Sequence, residues 1–316
     1  MTLNQTAKYL QQNDNYLIVM HKNPDGDTVG SAAALCLGLR SLGKKAYLLN
    51  DKDCSAVFAP YISELCMELS CEFDSIIAVD AADKSRFIDG APTEFDLAID
   101  HHVSHKQYAK HTYLDGERAA NCEIIFELLG EMGVEFTHEI AQPIYLGIAT
   151  DTGCFKFGST TPKTHRIAAD LMEIMHDGAA AAINRKFFDQ KSLSRIKLEQ
   201  AVYSTMQQLH GGEIVIMSIT TDMMENNDSS DADALSGLAR GIEGCKIGIL
   251  LKQQTCDETK ISVRTSPPYS AMDICAVLGG GGHKNAAGCT HKGCINTAKA
   301  AILAAVGEVY SSLDAK

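Results

Sequence analysis

Three short apolar runs, each followed at once by acidic residues, constrain this chain more than any other feature. The runs span residues 16–20, 76–79 and 97–99, and apolar runs of this length are typical of buried parallel strands. They are followed, in order, by His21–Asp27, Asp80–Asp83 and Asp100–His102. In an open α/β sheet, ligands bind just beyond the carboxyl ends of the strands. The acidic side chains are therefore expected to converge, and because so many carboxylates repel one another, the sequence predicts a metal centre.

The first part of the chain is predicted to form a parallel α/β sheet domain. Strand and helix signals alternate over residues 1–185, and this alternation predicts a parallel sheet covered by helices on both faces. Besides the three runs, a strand is predicted over residues 45–50. Helices are predicted over residues 28–42, 55–69, 117–132, 140–150 and 162–175.

The pattern changes in the last third of the chain. Residues 186–212 are expected to form a helical linker, with a helix over 190–209 that ends before Gly211 and Gly212. Residues 213–316 are expected to form a second, smaller α/β domain. Its strands are predicted over residues 213–219, 246–252 and 260–264, and its helices over 232–240, 272–278 and 296–313.

Composition excludes several classes of protein. The formal net charge of −12 argues against extensive binding to duplex nucleic acid, which requires basic surface, but a short phosphorylated substrate held by metal ions remains compatible with it. Eleven cysteines without a disulfide-framework spacing are typical of a reducing cytoplasm. No stretch reaches the length of about 18 to 20 apolar residues that spans a bilayer, and no secretory signal is expected at the N-terminus. We therefore expect a cytoplasmic protein without a membrane partner.

The residues themselves suggest which side chains would bind each of two metal ions. His21, Asp25 and Asp27 lie on a segment that Pro24 and Gly26 make tight, and alternate residues there could direct two carboxylates at two different cations. A shared ligand helps to hold two metals together, and Asp80, at the end of a central strand, is our candidate for that bridge.

Two further segments add ligands to this centre. His101 can supply an imidazole, which Asp100 is expected to orient, and Asp151 is expected at the end of an apolar helix. A single Asp at a strand end is as often a helix cap or a turn residue, and for any one cluster that alternative stays open. Four clusters together favour metal binding.

The motifs of this first domain resemble those of the DHH phosphoesterase family. The resemblance rests on His21–Ser31, Asp80, Asp100–His102 and Asp151–Gly153, in this order and spacing. It implies two Mn²⁺ ions, one held by His21, Asp25 and Asp80 and the other by Asp27, Asp80, His101 and Asp151. It also implies that His102 contacts the scissile phosphate rather than a metal, so that Asp80 and His102 are the expected catalytic residues. The alternative is that His102 does not contact the substrate and only orients its neighbours.

A glycine run is the strongest local feature of the second domain. Gly279–Gly282 precede His283, and Arg264 ends a predicted strand. Glycines permit close approach of backbone N–H groups to a phosphate, although such a run is also common in flexible turns. Together these residues resemble the DHH-associated C-terminal domain, which implies that Gly280, Gly281, Gly282, His283 and Arg264 bind the substrate. A zinc cluster of His283, Cys289, His291 and Cys294 is the alternative, but its spacing lacks the paired Cys-x-x-Cys of structural zinc sites.

Within the family, the compact two-domain organisation resembles the branch of oligoribonucleases and phosphoadenosine-phosphate phosphatases. This resemblance implies hydrolysis of short single-stranded oligonucleotides to mononucleotides, of phosphoadenosine phosphate to AMP, or of both. Hydrolysis of linear or cyclic dinucleotides is the alternative within the class. A non-catalytic nucleotide sensor is the alternative of another class, and it would be expected to lack a metal ligand. The sequence does not rank RNA against DNA as the substrate, and it leaves open whether the protein forms a homodimer.

Overall fold

The computed structural model describes residues 1–52, 54–68, 72–225 and 234–310. The chain divides into two compact units, Met1–Gln190 and Lys191–Lys316. The division falls inside the segment 186–212 that was predicted as a linker. Within the described residues, no helix is both long enough and apolar enough to cross a membrane.

The first unit is built on a sheet of six parallel strands. The strands are β1 (Tyr16–Val19), β2 (Ala46–Leu49), β3 (Cys66–Met67), β4 (Ser75–Val79), β5 (Leu97–Asp100) and β6 (His111–Leu114). Their order across the sheet is β3-β2-β1-β4-β5-β6. The order reverses between β1 and β4, and the carboxyl ends of the strands at such a switch point form a crevice where ligands bind. The predicted α/β class with a parallel sheet is confirmed.

The described part of the first unit contains seven α-helices. They are α1 (Leu3–Gln12), α2 (Gly26–Ser41), α3 (Ala59–Ile62), α4 (Asn121–Glu131), α5 (His138–Asp151), α6 (Pro162–Ile174) and α7 (Ala179–Asn184). Alternate residues of β1 enter two different cores, because side chains alternate across a strand. Ile18 packs with the helices, whereas Leu17 and Val19 pack against Phe87 and Phe95 of the segment between β4 and β5.

One predicted helix of the first unit is wrong. Residues 55–69 were predicted as a single helix, but they form a 3-10 turn at Ala56–Phe58, the one-turn helix α3 and the strand β3. The reason is tertiary: Cys66 pairs with Leu48 of β2, and this pairing overrides the local helical pattern. Residue 69 lies outside the described residues. Helices α1 and α7 and strand β6 were not predicted from the sequence.

The second unit contains a mixed six-stranded sheet. Its strands are β7 (Gln207–Leu209), β8 (Ile214–Ile219), β9 (Ile247–Thr255), β10 (Glu258–Thr265), β11 (Gly281–His283) and β12 (Ala286–Lys292), in the order β11-β12-β10-β9-β8-β7. Strands β8 and β9 are parallel and the other pairs are antiparallel. Its α-helices are α8 (Leu193–Ser204), α9 (Ala271–Val277) and α10 (Ile295–Val309).

Three predictions for this unit need correction. The helix predicted over 190–209 ends at Ser204, and β7 follows it. In place of the helix predicted over 232–240 there are 3-10 turns at Ala234–Gly237 and Ala239–Gly241, and residues 232–233 lie outside the described residues. The last helix ends at Val309 rather than at residue 313, and residues 311–313 are also outside the described part.

Candidate metal centre

The loop after β1 supplies the first pair of candidate ligands. Asp25 caps helix α2 through Oδ1, which accepts hydrogen bonds from the backbone N–H groups of Asp27 and Thr28 at 3.1 and 3.0 Å. Its other oxygen, Oδ2, lies 4.0 Å from Nε2 of the buried His21. Asp25 is therefore a helix cap and a candidate ligand at once, because its two oxygens face different partners. Helix α2 begins at Gly26, so Asp27 lies in its first turn and not on the predicted loop.

A glycine contact fixes where α2 begins relative to α5. A Cβ on Gly26 would lie only 2.3 Å from Oγ1 of Thr150, so only glycine permits this packing. Thr150 directly precedes Asp151, the last residue of α5. The contact thus holds the first turn of α2, which carries Asp27, beside the end of α5, which carries Asp151.

Asp27 is held by the N-terminus of helix α4. It is 1% exposed, and its two oxygens accept the backbone N–H groups of Asn121 at 2.6 Å and Cys122 at 2.9 Å. N–H groups at a helix N-terminus stabilise a negative charge. The sequence analysis missed these donors because it started the helix at residue 117, whereas α4 starts at Asn121.

Asp80 lies at the centre of the site. It follows β4 in the left-handed region, with a φ of 54°, a conformation that is costly for a non-glycine residue and is often found at functional sites. Its Oδ2 accepts a 2.6 Å hydrogen bond from the hydroxyl of Thr28. Its Oδ1 is buried without a hydrogen-bond partner and lies 3.5 Å from Nε2 of His101.

His101 directs one ring nitrogen at three carboxylates. Its Nδ1 lies 3.2 Å from the carbonyl oxygen of Arg118, and because a carbonyl only accepts, Nδ1 carries the proton and Nε2 is left as a ligand. Nε2 is 3.5 to 3.8 Å from oxygens of Asp27, Asp80 and Asp151. The expectation that Asp100 orients His101 is therefore wrong for the ring, since the Arg118 carbonyl does so.

Asp100 instead holds the next histidine. Its Oδ1 accepts the backbone N–H of both His101 and His102 and lies 2.7 Å from Nδ1 of His102. This contact raises the pKa of the His102 imidazole, because a protonated ring donates to the carboxylate. Nδ1 also lies 3.6 Å from Oδ1 of Asp80, so Nε2 is the ring nitrogen left for a substrate.

A buried histidine that the sequence analysis missed lies behind Asp100. The ring of His105 is fully buried, and its Nε2 is 3.9 Å from Oδ2 of Asp100. Neither atom has a hydrogen-bond partner. Nδ1 of His105 accepts the backbone N–H of Gln107, so in the neutral ring the proton is on Nε2, facing Asp100. No recognisable sequence signal marked this residue beyond its position three residues after His102.

The structure brings all six predicted metal ligands together. Within the described residues, ligand atoms fall into sets that lie within 4.8 Å of one another. Two of these sets are His21 with Asp25 and Asp80, and Asp27 with His101 and Asp151; a third joins Asp80, His101 and His102. The first two reproduce the expected division between two cations, apart from the sharing of Asp80 in the second set.

The electrostatics fit cations at this point. Burial raises the pKa of Asp80 well above its usual range, and burial raises that of Asp27 too, with other carboxylates adding to both shifts. Burial and the charge of Asp27 raise the pKa of Asp151 to about 8. Carboxylates so placed resist ionisation unless positive charge is supplied, and divalent cations reverse this effect. Together with the unpartnered Oδ1 of Asp80, the donor set fits divalent metal ions.

In the second unit, sheet register brings two predicted substrate residues into one row. Ala286 of β12 pairs with Arg264 on one side and with His283 on the other, and directly paired residues point to the same face of a sheet. The small Ala286 separates them by two strand spacings, about 10 Å. Arg264 is half-buried and donates to Oγ of Ser236 at 2.9 Å, whereas His283 is exposed.

The glycine run is not the flexible loop that its sequence indicates. Gly281–His283 form the edge strand β11. A Cβ on Gly280 would lie 2.4 Å from Cβ of Cys289, and one on Gly282 would lie 2.6 Å from the carbonyl oxygen of Ala286. These two glycines are therefore required for close packing on β12, while Gly281 has open space around its Cα. Any contact with a phosphate would use the outer edge of β11, where N–H groups are unpaired.

The zinc alternative finds no support among the residues that the structure describes. Cys289 is buried and Cys294 is exposed. All three sets of grouped ligand atoms in the described ranges belong to the first unit, so His283, Cys289, His291 and Cys294 do not form a cluster of this kind.

Comparison with known proteins agrees with this arrangement. Residues 15–148 match the model of the DHH family, N-terminal domain. The bifunctional oligoribonuclease and PAP phosphatase NrnA of Thermus thermophilus is 35% identical over 279 residues, which cover 87% of this chain and 84% of the relative.

Solved structures show the same fold. An exopolyphosphatase-related protein from Bacteroides fragilis superposes with a TM-score of 0.87 at 24% identity, covering 98% of this chain and 97% of that one. RecJ of T. thermophilus in complex with Mn²⁺ matches with a TM-score of 0.57 at 16% identity, covering 98% of this chain and 54% of RecJ. With a matching family model and a relative that is 35% identical over most of both chains, this chain belongs to the DHH family.

Proposed function

We propose that this protein hydrolyses short single-stranded oligonucleotides to mononucleotides and phosphoadenosine phosphate to AMP. The observation that carries the proposal is the convergence of six potential ligands from four segments, among them Asp80 with its buried, unpartnered Oδ1. The NrnA relative, named as an oligoribonuclease and PAP phosphatase, supports this choice among phosphoesterases. We place the protein in the cytoplasm, in keeping with the free thiols of its described cysteines.

The ligand set supports two Mn²⁺ ions as the cofactor. His21, Asp25 and Asp80 would hold one ion, and Asp27, Asp80, His101 and Asp151 the other, with Asp80 shared. Mixed imidazole and carboxylate ligands suit Mn²⁺ better than Mg²⁺, which usually keeps several waters, whereas RecJ structures of the same fold contain either ion. When bound, such a pair neutralises phosphate oxygens and makes water a stronger nucleophile.

The remaining chemistry falls to His102. Asp100 fixes its ring through Nδ1, and with 39% of its side chain exposed it can reach a substrate. In the protonated ring, which Asp100 favours, Nε2 can donate to a phosphate oxygen or to the leaving oxygen. Phosphoryl transfer depends mainly on charge neutralisation and on the positioning of the reacting groups. His102 would position the proton on its Nε2.

The second unit would bind the part of the substrate that does not react. Arg264 has guanidinium N–H groups beyond the two used by Val263 and Ser236, and a guanidinium suits bidentate phosphate contact. His283 lies in the same row of the sheet, where it can hydrogen-bond a phosphate or stack on a base. Gly280, Gly281 and Gly282 would contribute through the backbone of the edge strand.

Product analysis tests this proposal directly. Metal-stripped protein with added Mn²⁺ should convert dinucleotides and slightly longer oligonucleotides to mononucleotides, and phosphoadenosine phosphate to AMP. Pyrophosphate and cyclic dinucleotides complete the panel, with EDTA as the control. If only pyrophosphate or only cyclic dinucleotides were hydrolysed, the proposed substrate class would be wrong.

The same assay measures length preference. The net charge of −12 gives a long strand little attraction, since non-specific binding depends on basic surface. Catalytic efficiency should therefore fall as the oligonucleotide lengthens, and duplex should be a very poor substrate. Degradation of a long single strand as efficiently as a dinucleotide would point instead to a processive exonuclease.

A further inference from the structure

Two exposed apolar side chains lie on the loops that carry ligands of one candidate metal. Val103 is 84% exposed and Phe157 is 52% exposed. Val103 comes two residues after His101, and Phe157 comes six residues after Asp151. The two loops meet at the site, because Nε2 of His101 lies 3.7 Å from Oδ2 of Asp151.

Both side chains are exposed, but each packs on one side against a glycine. A Cβ on Gly116 would lie 2.5 Å from Cγ1 of Val103, and a Cβ on Gly153 would lie 2.4 Å from Cζ of Phe157. Each side chain thus rests on a glycine Cα and uses the space that a side chain there would fill. A glycine contact of this kind restricts the side chain while leaving its outer surface free.

The backbone that presents Phe157 is strained. Three consecutive residues, Gly153, Cys154 and Phe155, have φ values of 58°, 58° and 63°, and two of them pay the cost of the left-handed region. The ring of Phe155 is half-buried against the core and stacks on the exposed His165, with 5.2 Å between the ring centroids. With Phe155 directed inward and the chain turned sharply, Phe157 remains outside.

We propose that Val103 and Phe157 form an apolar subsite that binds a nucleobase of the nucleotide whose phosphate is at the metal centre. This proposal rests on the proposed function and names how the first unit recognises its substrate. A flat base is the part of a nucleotide that an aromatic ring and an aliphatic side chain can bind, and base–aromatic stacking tolerates every base. The phosphate would be held by charge and the base by these two side chains.

The test compares substrates with and without bases. The kcat/KM of Phe157→Ala for a dinucleotide should fall about 5- to 100-fold, the scale of one lost stacking contact. Val103→Ala should cost about 3- to 10-fold, as expected for the loss of two methyl groups from an apolar contact. With a dinucleotide analogue that lacks both bases, these losses should be largely absent. Phe157→Tyr keeps the ring and should retain the efficiency of the native protein.

A matched control and a binding assay keep the result interpretable. Met172 on α6 is 55% exposed, and Met172→Ala should change neither substrate's kcat/KM. Calorimetry of the Mn²⁺-loaded protein should show that Phe157→Ala removes the preference for AMP over ribose 5-phosphate, whether or not any substrate is turned over. Equal losses with and without bases, or an unchanged preference for AMP, would overturn the subsite. Failure of the native protein to hydrolyse any oligonucleotide would instead count against the proposed function alone.

Discussion

The polar groups of the two units differ in how deeply they are buried and in how firmly they are held. In the first unit, His21, Asp27 and Asp80 are at most 4% exposed, and neighbouring N–H and O–H groups already hold Asp27 and Asp80. In the second unit, Arg264 is half-buried and His283 is exposed on an edge strand. Buried, fixed charges suit a step in which charge develops, whereas an open row suits recognition of groups that do not react. On the proposed function, this difference would separate bond cleavage from substrate binding, and the predictions below test that separation.

The largest effect is expected at Asp80. Asp80→Ala removes the carboxylate that groups with His21 and Asp25 and that we propose as the ligand shared by both ions, so turnover should fall by about 10³-fold or more and metal content should drop, while the fold stays intact. Metal analysis, circular dichroism and kcat on a dinucleotide measure these three quantities. Near-native activity with full metal content would refute the assignment of Asp80.

Substitution of Arg264 or His283, which share one row of the second sheet, should change KM rather than kcat. Arg264→Ala and His283→Ala remove contacts to a part of the substrate whose charge does not change. Loss of a charged hydrogen bond costs about 1.5–3 kcal/mol, which corresponds to a rise in KM of about 10- to 150-fold.

Lys292→Ala is the matched control for this row, because Lys292 is an exposed cation on the same strand as Ala286 but at its other end. It should leave KM close to the native value. Loss of metal from the Arg264 and His283 variants at constant KM would show that the two units are not separated in this way.

A smaller effect is expected from His105, which acts through Asp100 on His102. His105→Phe keeps an aromatic ring but removes the N–H that faces Oδ2 of Asp100 across 3.9 Å, and kcat should fall by about 10-fold, the lower end of the effect of losing an outer partner at a metal site. His105→Gln restores a donor near Nε2 and should recover most of this loss. KM should change little in either variant. If the Gln variant were as impaired as the Phe variant, His105 would act only by packing.

The smallest effect concerns pH. The pKa of Asp151 is raised to about 8, above its ordinary value of about 3.8, so the metal-free folded state binds more protons than the unfolded chain. The stability of metal-free protein should therefore fall as pH rises from about 4 to about 8.

Stabilisation by Mn²⁺ should grow over the same range, because the ligands must be deprotonated. Thermal unfolding midpoints with EDTA and with Mn²⁺ measure both trends. Asp151→Asn should flatten the EDTA curve, and an EDTA curve that rises with pH would contradict the assigned shift.

The sequence by itself determined the sheet and the candidate ligands. Apolar runs that end in Asp or His predicted β1, β4 and β5, because buried parallel strands need continuous apolar sequence and their carboxyl ends share an edge. Asp80 and His101 could be chosen for the same reason. These signals are local, so they can be read from consecutive residues.

Tertiary structure alone decided how those ligands are held and what the glycine run does. The N–H groups of α4 reach Asp27 across more than ninety residues of sequence, and the Arg118 carbonyl orients His101. Neither contact follows from residue type, because every residue has a backbone carbonyl and nearly every one an N–H. Gly280 and Gly282 indicated a loop by composition, but the close approach of β12 made them part of an edge strand. Local sequence determines which groups are available, whereas long-range packing decides which of them meet.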